Sequence, residues 1–134
     1  MNKFVLDACA ILALLKKEQG ADIVKNVIEN NFETLLHSVT FLEVYYNLAK
    51  ELGVDSADLF FELILQTKIR IIYEITENTI KSAGYFKSKY KISLGDSFVL
   101  ATAKLCNAKI VSSDHHKFDI IENSTEKINF LWIR

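Results

Sequence analysis

The sequence predicts an α/β fold, a parallel sheet with helices on both of its faces. Three observations lead there. Short apolar or β-branched runs alternate with helical segments along the whole chain. Strands separated by helices cannot be joined as hairpins, so they pair in parallel through crossovers. The 134 residues are half hydrophobic and a quarter charged, the make-up of a chain with a real core and the length of one domain. With no proline and four glycines, no linker divides the chain. A single domain over 1–134 is expected.

The elements follow in order. Residues 3–6, KFVL, read as a short buried strand ending at Asp7. Residues 8–19 turn helical, with Ala8, Ile11, Leu12 and Leu15 at helical spacing. Residues 20–32 form a second amphipathic helix, with Ile23, Val27 and Ile28 on one face. Residues 34–38 are a strand. Residues 40–53 are a helix that Gly53 closes. Residues 55–68 are another, capped by Asp55 or Ser56. The β-branched run 69–75 is a strand and 76–91 a helix. Residues 93–107 are apolar on nearly every side, which predicts a buried central helix. A strand at 108–113, a short helix or turn at 115–123 and a strand at 128–133 complete the chain.

Composition sets further bounds. Cys9 and Cys106 have no CxxC partner, which points to a reducing, cytoplasmic setting. No apolar run is long enough to span a membrane, so no membrane partner is expected. Residues 4–15 resemble the apolar part of a signal peptide, but Asp7 interrupts them and Lys3 is the sole basic leader. The net charge of −1 lacks the basic footprint of a nucleic-acid binder. Four acids bound to metal would turn the balance mildly positive, so bulk charge neither supports nor excludes such a partner.

The acids are the chemically informative residues. Asp7 ends the first strand and Asp114 follows the strand at 108–113. Glu43 and Asp96 are expected in the first turns of their helices. In a parallel sheet, ligands bind outside the carboxyl ends of the strands. Topology therefore brings Asp7, Glu43 and Asp114 to one rim, joined by Asp96 if its helix starts there. Clustered carboxylates repel one another. Mg2+ or Mn2+ relieves this and prefers carboxylate and water oxygens. Such an ion suits in-line cleavage of a phosphodiester. Helix capping is the competing account. Ser93 with Asp96 and Thr40 with Glu43 both fit a capping box, and Asp7 and Asp114 fit as N-caps. On pattern alone, both accounts stand.

The stretches FVLDACAILALL, SVTFLEVYYNLAK, ISLGDSFVLATAKL and IVSSDHHKF resemble, in order and spacing, the acidic motifs of the PIN domain family. They are most similar to its short VapC-type toxins. The likeness runs from about residue 3 to the last strand. It implies a three-layer α/β/α sandwich and a ribonuclease dependent on Mg2+ or Mn2+. It implies that Asp7, Glu43, Asp96 and Asp114 are the catalytic and metal-binding residues. It also implies an RNA substrate, a homodimer and a DNA-binding, VapB-like antitoxin that silences the nuclease. Two positions depart from the family pattern. Cys9 stands where members carry Ser or Thr, and a thiol is a weaker donor. His115, His116 and Lys117 fill a stretch where many members carry a further acid.

Other residues have narrower readings. Cys9, Ser97 and Ser112 are candidates for supporting the metal's surroundings; Ser97 equally fits a bond to its own helix backbone. Gly95, costly in a helix's first turn, suggests close approach by a phosphate or another backbone, or simply a tight bend. Lys87, Lys89 and Lys91, mixed with Tyr85, Phe86 and Tyr90, suggest a single-stranded RNA path or a solvated helix face. His115 and His116 fit RNA contact or solvent exposure better than metal ligation. His37 reads as a satisfied core residue. The apolar helix 59–66 fits core packing or a dimer or antitoxin groove. Two other classes stay open: a non-catalytic regulatory or binding module, and an acid-metal phosphatase acting on small phosphoesters. The haloacid type of phosphatase needs a second Asp where DAC has none.

Overall fold

The computed structural model describes residues 2–30 and 33–134. The elements run β1 (Lys3–Leu6), α1 (Ala8–Leu15), α2 (Ala21–Glu29), β2 (Glu33–His37), α3 (Ser38–Leu52), α4 (Val54–Leu65), β3 (Arg70–Ile72), α5 (Glu77–Lys89), α6 (Leu94–Cys106), β4 (Lys109–Ser112), α7 (His115–Glu122) and β5 (Phe130–Trp132). Among the described residues, five strands form one sheet in the order β3-β2-β1-β4-β5, every neighbouring pair parallel. The predicted α/β class with a parallel sheet is what the chain adopts.

Alternation along each strand makes the three layers. Phe4, Leu6, Leu36 and Val111 face a core built with α1, α2, α3 and α4. Val5, Leu35 and Ile110 face the opposite core, built with α5, α6 and α7. Both sheet faces are thus covered, as an all-parallel sheet requires. Each fully buried Leu, Ile or Phe contributes roughly 1.5–3 kcal/mol of transfer free energy. α6 is buried along almost its whole length from Gly95 to Ala103, in keeping with its apolar sequence.

Strand order positions the site. The chain steps outward from β1 to β2 to β3, then returns to lay β4 on the other side of β1. The reversal opens a crevice between the carboxyl ends of β1 and β4, where ligands bind in open α/β sheets. Asp7 follows β1 and Asp114 lies two residues beyond β4.

Several boundaries differ from the sequence reading. α1 stops at Leu15 instead of 19, because Lys17 takes a left-handed φ of 55°. The Glu18 N–H then donates to Ala13 O at 2.9 Å, a Schellman closure. The last two residues of the predicted 20–32 helix lie outside the described residues. α3 starts at Ser38, two residues early, because His37 supplies the cap. α4 is capped by Gly53, with no side-chain bond from Asp55 or Ser56. The run 69–75 keeps only three strand residues, since Ile72 already pairs with His37, the last residue of β2. Residues 115–122 are a helix, not a turn.

Candidate active site

The four predicted acids lie at one edge of the sheet, three of them held by helix starts. Asp7 is 1 % exposed. Its Oδ1 accepts from the Ala10 N–H at 2.8 Å and caps α1. Its Oδ2 accepts from the Ser112 hydroxyl. Ser112 also accepts from the Asp114 N–H at 3.0 Å, so one hydroxyl ties the two strand ends together. Asp114 caps α7 through Oδ1, which accepts from the Lys117 N–H at 3.2 Å. Asp96 makes the predicted capping box: the Asp96 N–H donates to Ser93 Oγ at 3.1 Å, and the Ser93 N–H donates to Asp96 Oδ2 at 3.2 Å.

Glu43 overturns its capping account. The N-cap of α3 is His37, whose Nδ1 accepts from the Val39 N–H at 3.1 Å. Thr40 caps nothing, and its hydroxyl is buried without a partner among the described residues. Glu43 therefore sits in the second turn of α3, not the first, and is half-buried. Ser93 lowers its proton affinity, against the rise that burial causes. A β-carbon on Gly95 would lie 1.7 Å from Glu43 Oε1. The close approach expected at this glycine is made in the structure by the Glu43 carboxylate and not by another backbone.

The acids feel one another. Burial pushes the Asp7 carboxyl up to about 7. Bonds from Ser112 and Ala10 oppose that rise, and the charges of Asp96 and Asp114 add to it. Burial also raises Glu43, with Asp96 adding, against the pull of Ser93 and Lys117. Burial pushes the Cys9 thiol up to about 12, reinforced by Asp7 and Asp114. Cys9 is thus a protonated thiol beside the rim, unsuited to nucleophilic attack.

Sequence reasoning missed the cation at the centre. Lys117 Nζ lies 3.2 Å from Asp96 Oδ2 and 3.6 Å from Asp114 Oδ2. Burial works against its charge, but Asp96 and Asp114 outweigh that and hold it above the ordinary lysine value. The available signal was its spacing, three residues beyond Asp114, the N-cap of its helix.

The other candidates divide. Ser112 belongs to the rim. Ser97 does not, because its hydroxyl donates to Leu94 O at 2.5 Å inside its own helix. Lys89 is tied elsewhere, 3.2 Å from Glu126 Oε2 and 3.0 Å from the Tyr85 hydroxyl. That cluster absorbs the aromatic–lysine run, since Tyr85 and Tyr90 both donate to Glu126 at 2.8 Å. Lys87 and Lys91 are exposed. His115 stacks on Trp132 with ring centroids 3.7 Å apart and bonds Asp119 and Arg134 O. His116 is exposed. His37 is a satisfied buried residue, its second nitrogen 3.2 Å from Glu74 O.

The donor chemistry suits a hard dication. Asp7 is a buried carboxylate with no cation partner among the described residues, pressed by two more acidic charges. Every acidic donor is oxygen. Among the described residues no three acid, histidine or cysteine side chains converge as a ready cage. Mg2+ needs no such cage, since one or two carboxylates and several waters complete its shell.

Comparison with known proteins bears on the fold and the family. No curated protein matches the chain significantly in sequence. Among solved structures, the DNA-bound VapBC of Salmonella typhimurium is similar, with a TM-score of 0.76, 15 % identity and all of both chains covered. VapBC2 of Rickettsia felis, bound to a promoter DNA fragment, gives 0.75 at 15 % identity, covering 97 % of this chain and 98 % of that one. VapC20 of Mycobacterium tuberculosis, a toxin that cleaves the sarcin–ricin loop, gives 0.63 at 13 % identity, covering 81 % and 86 %. At such identities these likenesses speak for the fold. The PIN domain model matches residues 4–123, nearly the whole span that carries the rim, and by that match the chain belongs to the PIN domain family.

Proposed function

We propose that this chain is a metal-dependent endoribonuclease and the toxin of a toxin–antitoxin pair. The observation that carries the reading is the gathering of Asp7, Glu43, Asp96 and Asp114 at the β1/β4 reversal of a PIN-family fold. Asp7 and Asp114 would hold one Mg2+ or Mn2+, with Asp96 beside them. A bound ion of this kind supplies Lewis acidity and a water acidic enough to attack phosphorus. Ser112 fixes the second oxygen of Asp7, so the carboxylate is oriented before substrate arrives. Glu43, with a raised proton affinity, accepts the attacking water's proton at its carboxylate. The new P–O bond forms as an ester P–O bond breaks, and the leaving oxygen takes a proton from solvent.

The biological setting belongs to the same reading. VapBC complexes among the structural neighbours support a VapB-like antitoxin as partner. A homodimer in the cytoplasm is the expected form. Leu59 and Leu63, 60 % and 45 % exposed on α4, offer apolar surface for such contacts.

The test is cleavage of mixed RNA by the pure protein with Mg2+, with Mn2+ and without metal, beside a folded Asp96→Asn variant. Metal-dependent cleavage that Asp96→Asn loses is expected. Undiminished cleavage by Asp96→Asn removes the assignment. Activity on small phosphoesters but not on RNA would favour a phosphatase. The toxin role is checked by growth arrest on expression and its relief by the product of a neighbouring short reading frame.

A further inference from the structure

We propose that Lys117 is a tethered cation of the rim, its ammonium holding the place a second divalent ion would take between Asp96 and Asp114. The site then binds one divalent ion per chain. This rests on the metal-dependent reading above and specifies how that site is charged.

The geometry is built, not incidental. Lys117 lies in the first turn of α7, and Asp114 serves it twice. Asp114 Oδ1 accepts from the Lys117 backbone N–H at 3.2 Å, while Oδ2 lies 3.6 Å from its ammonium. The Asp96 oxygen that meets the ammonium at 3.2 Å also accepts from the Ser93 N–H, so that carboxylate is fixed as well. Phe118 and Ile121 are fully buried and seat α7 against the sheet. The side chain is therefore aimed from a rigid element.

Lys117 already supplies part of the positive charge the rim needs. Asp7, Glu43, Asp96 and Asp114 bring four negative charges from four elements when all are ionised, and Lys117 neutralises one. One dication beside Lys117 then offsets all but one of those charges. In two-metal nucleases the ions stand about 3.5–4 Å apart and share carboxylates. A second ion here would need the oxygens that Lys117 already faces, and like charges at that separation repel. The stretch 115–117, His-His-Lys, brings no further acid to recruit it.

The test is Mn2+ titration of the metal-free full-length protein by calorimetry, with bound ions counted by electron paramagnetic resonance. Wild type should bind one Mn2+ per chain, and so should Lys117→Arg. Lys117→Met should bind a second Mn2+, or bind the first at least about fivefold tighter because a competing cation is gone. Two Mn2+ ions on wild type, or a Lys117→Met protein unchanged in both number and affinity, overturns the proposal. A merely structural ion pair would change the melting temperature without changing the ion count. Should Lys117→Met fail to fold, Lys117→Gln is read the same way. Wild type that binds no Mn2+ overturns the metal-dependent reading and this proposal together. One ion on wild type with an unchanged Lys117→Met defeats this proposal alone.

Discussion

Gly95 shows how much one missing carbon decides. A β-carbon there would lie 1.7 Å from Glu43 Oε1 and 2.2 Å from its carboxyl carbon. Gly95→Ala must therefore expel the Glu43 carboxylate from the start of α6. The backbone gains, since Ala is favoured over Gly in a helix by about 0.5–1 kcal/mol. Activity should fall about a hundredfold or more, the scale of a lost general base, while the melting temperature stays within a few degrees. Steady-state RNA cleavage and thermal melts check both parts. Adding Gly95→Ala to Glu43→Ala should cost little more activity, because the two act through one group. Much of the rim was legible at this scale. Asp7, Asp96 and Asp114 cap helices and also lie at the rim, so capping and a place at the candidate site are one placement. Glu43 was misread because T-x-x-E imitates a capping box, while the real cap is His37, a residue whose ring nitrogen seldom signals one. The role of Gly95 was only half legible, since its neighbour comes from a helix about fifty residues earlier. Lys117 escaped notice because an ammonium inside an acidic cluster answers a charge pattern that appears only after folding.

At the scale of elements, helices and central strands follow their patterns, while edges follow their neighbours. β3 stops at Ile72 because β2 has no residue left beyond His37 to pair with. β5 stops at Trp132 for the same reason, paired with Ser112 at the end of β4. Periodicity cannot show where a partner runs out. The segment after α7 was silent in sequence but fastens α5. Glu126 accepts from the Tyr85 and Tyr90 hydroxyls and from Lys89, and Lys104 Nζ donates to its backbone oxygen at 2.5 Å. Those bonds hold the Glu126 carboxyl below its ordinary value although burial pulls the other way. Glu126→Gln should lower stability by roughly 1–2 kcal/mol, the cost of weakening a charge-assisted network. Its stabilising part is present above the ordinary glutamate value and is lost as pH falls through the lower folded one. Cleavage per folded molecule should be unchanged. Denaturant melts and kinetics on the same preparation check this. A large activity loss at full stability would return the lysine–aromatic run to an RNA-contacting role.

The molecule as a whole concentrates charge at one crevice of a nearly neutral chain, and this couples folding to pH and, on the proposed reading, to a bound dication. Without metal, folded Asp7 keeps its proton up to about pH 7, whereas an ordinary Asp gives it up near 3.8. Between those values the native state binds more protons than the unfolded one. Stability therefore falls as pH rises through that window and levels off above it. Glu43 is shifted in the same direction. His37 opposes them: burial lowers it below 6.5, so its share of stability is lost as pH drops below that value. His115, held above 6.5 by Asp119 and the Arg134 carbonyl, loses its share as pH rises in the same direction as Asp7, so the region from pH 6.5 to 8 reports on the two together and the Asp7→Asn variant separates them. A dication needs the ionised carboxylate, so its apparent affinity should rise with pH up to about 7 and then flatten. Binding to the native state alone adds stability that grows as the logarithm of one plus the ratio of free ion to its Kd. Saturating Mg2+ should therefore raise the melting temperature more at pH 8 than at pH 5.5, where proton and metal compete for the same oxygens. Asp7→Asn should shrink that difference. Melts with Mg2+ and with a chelator at both pH values measure it, and equal Mg2+ shifts at the two would show that Asp7 does not link protons to the metal.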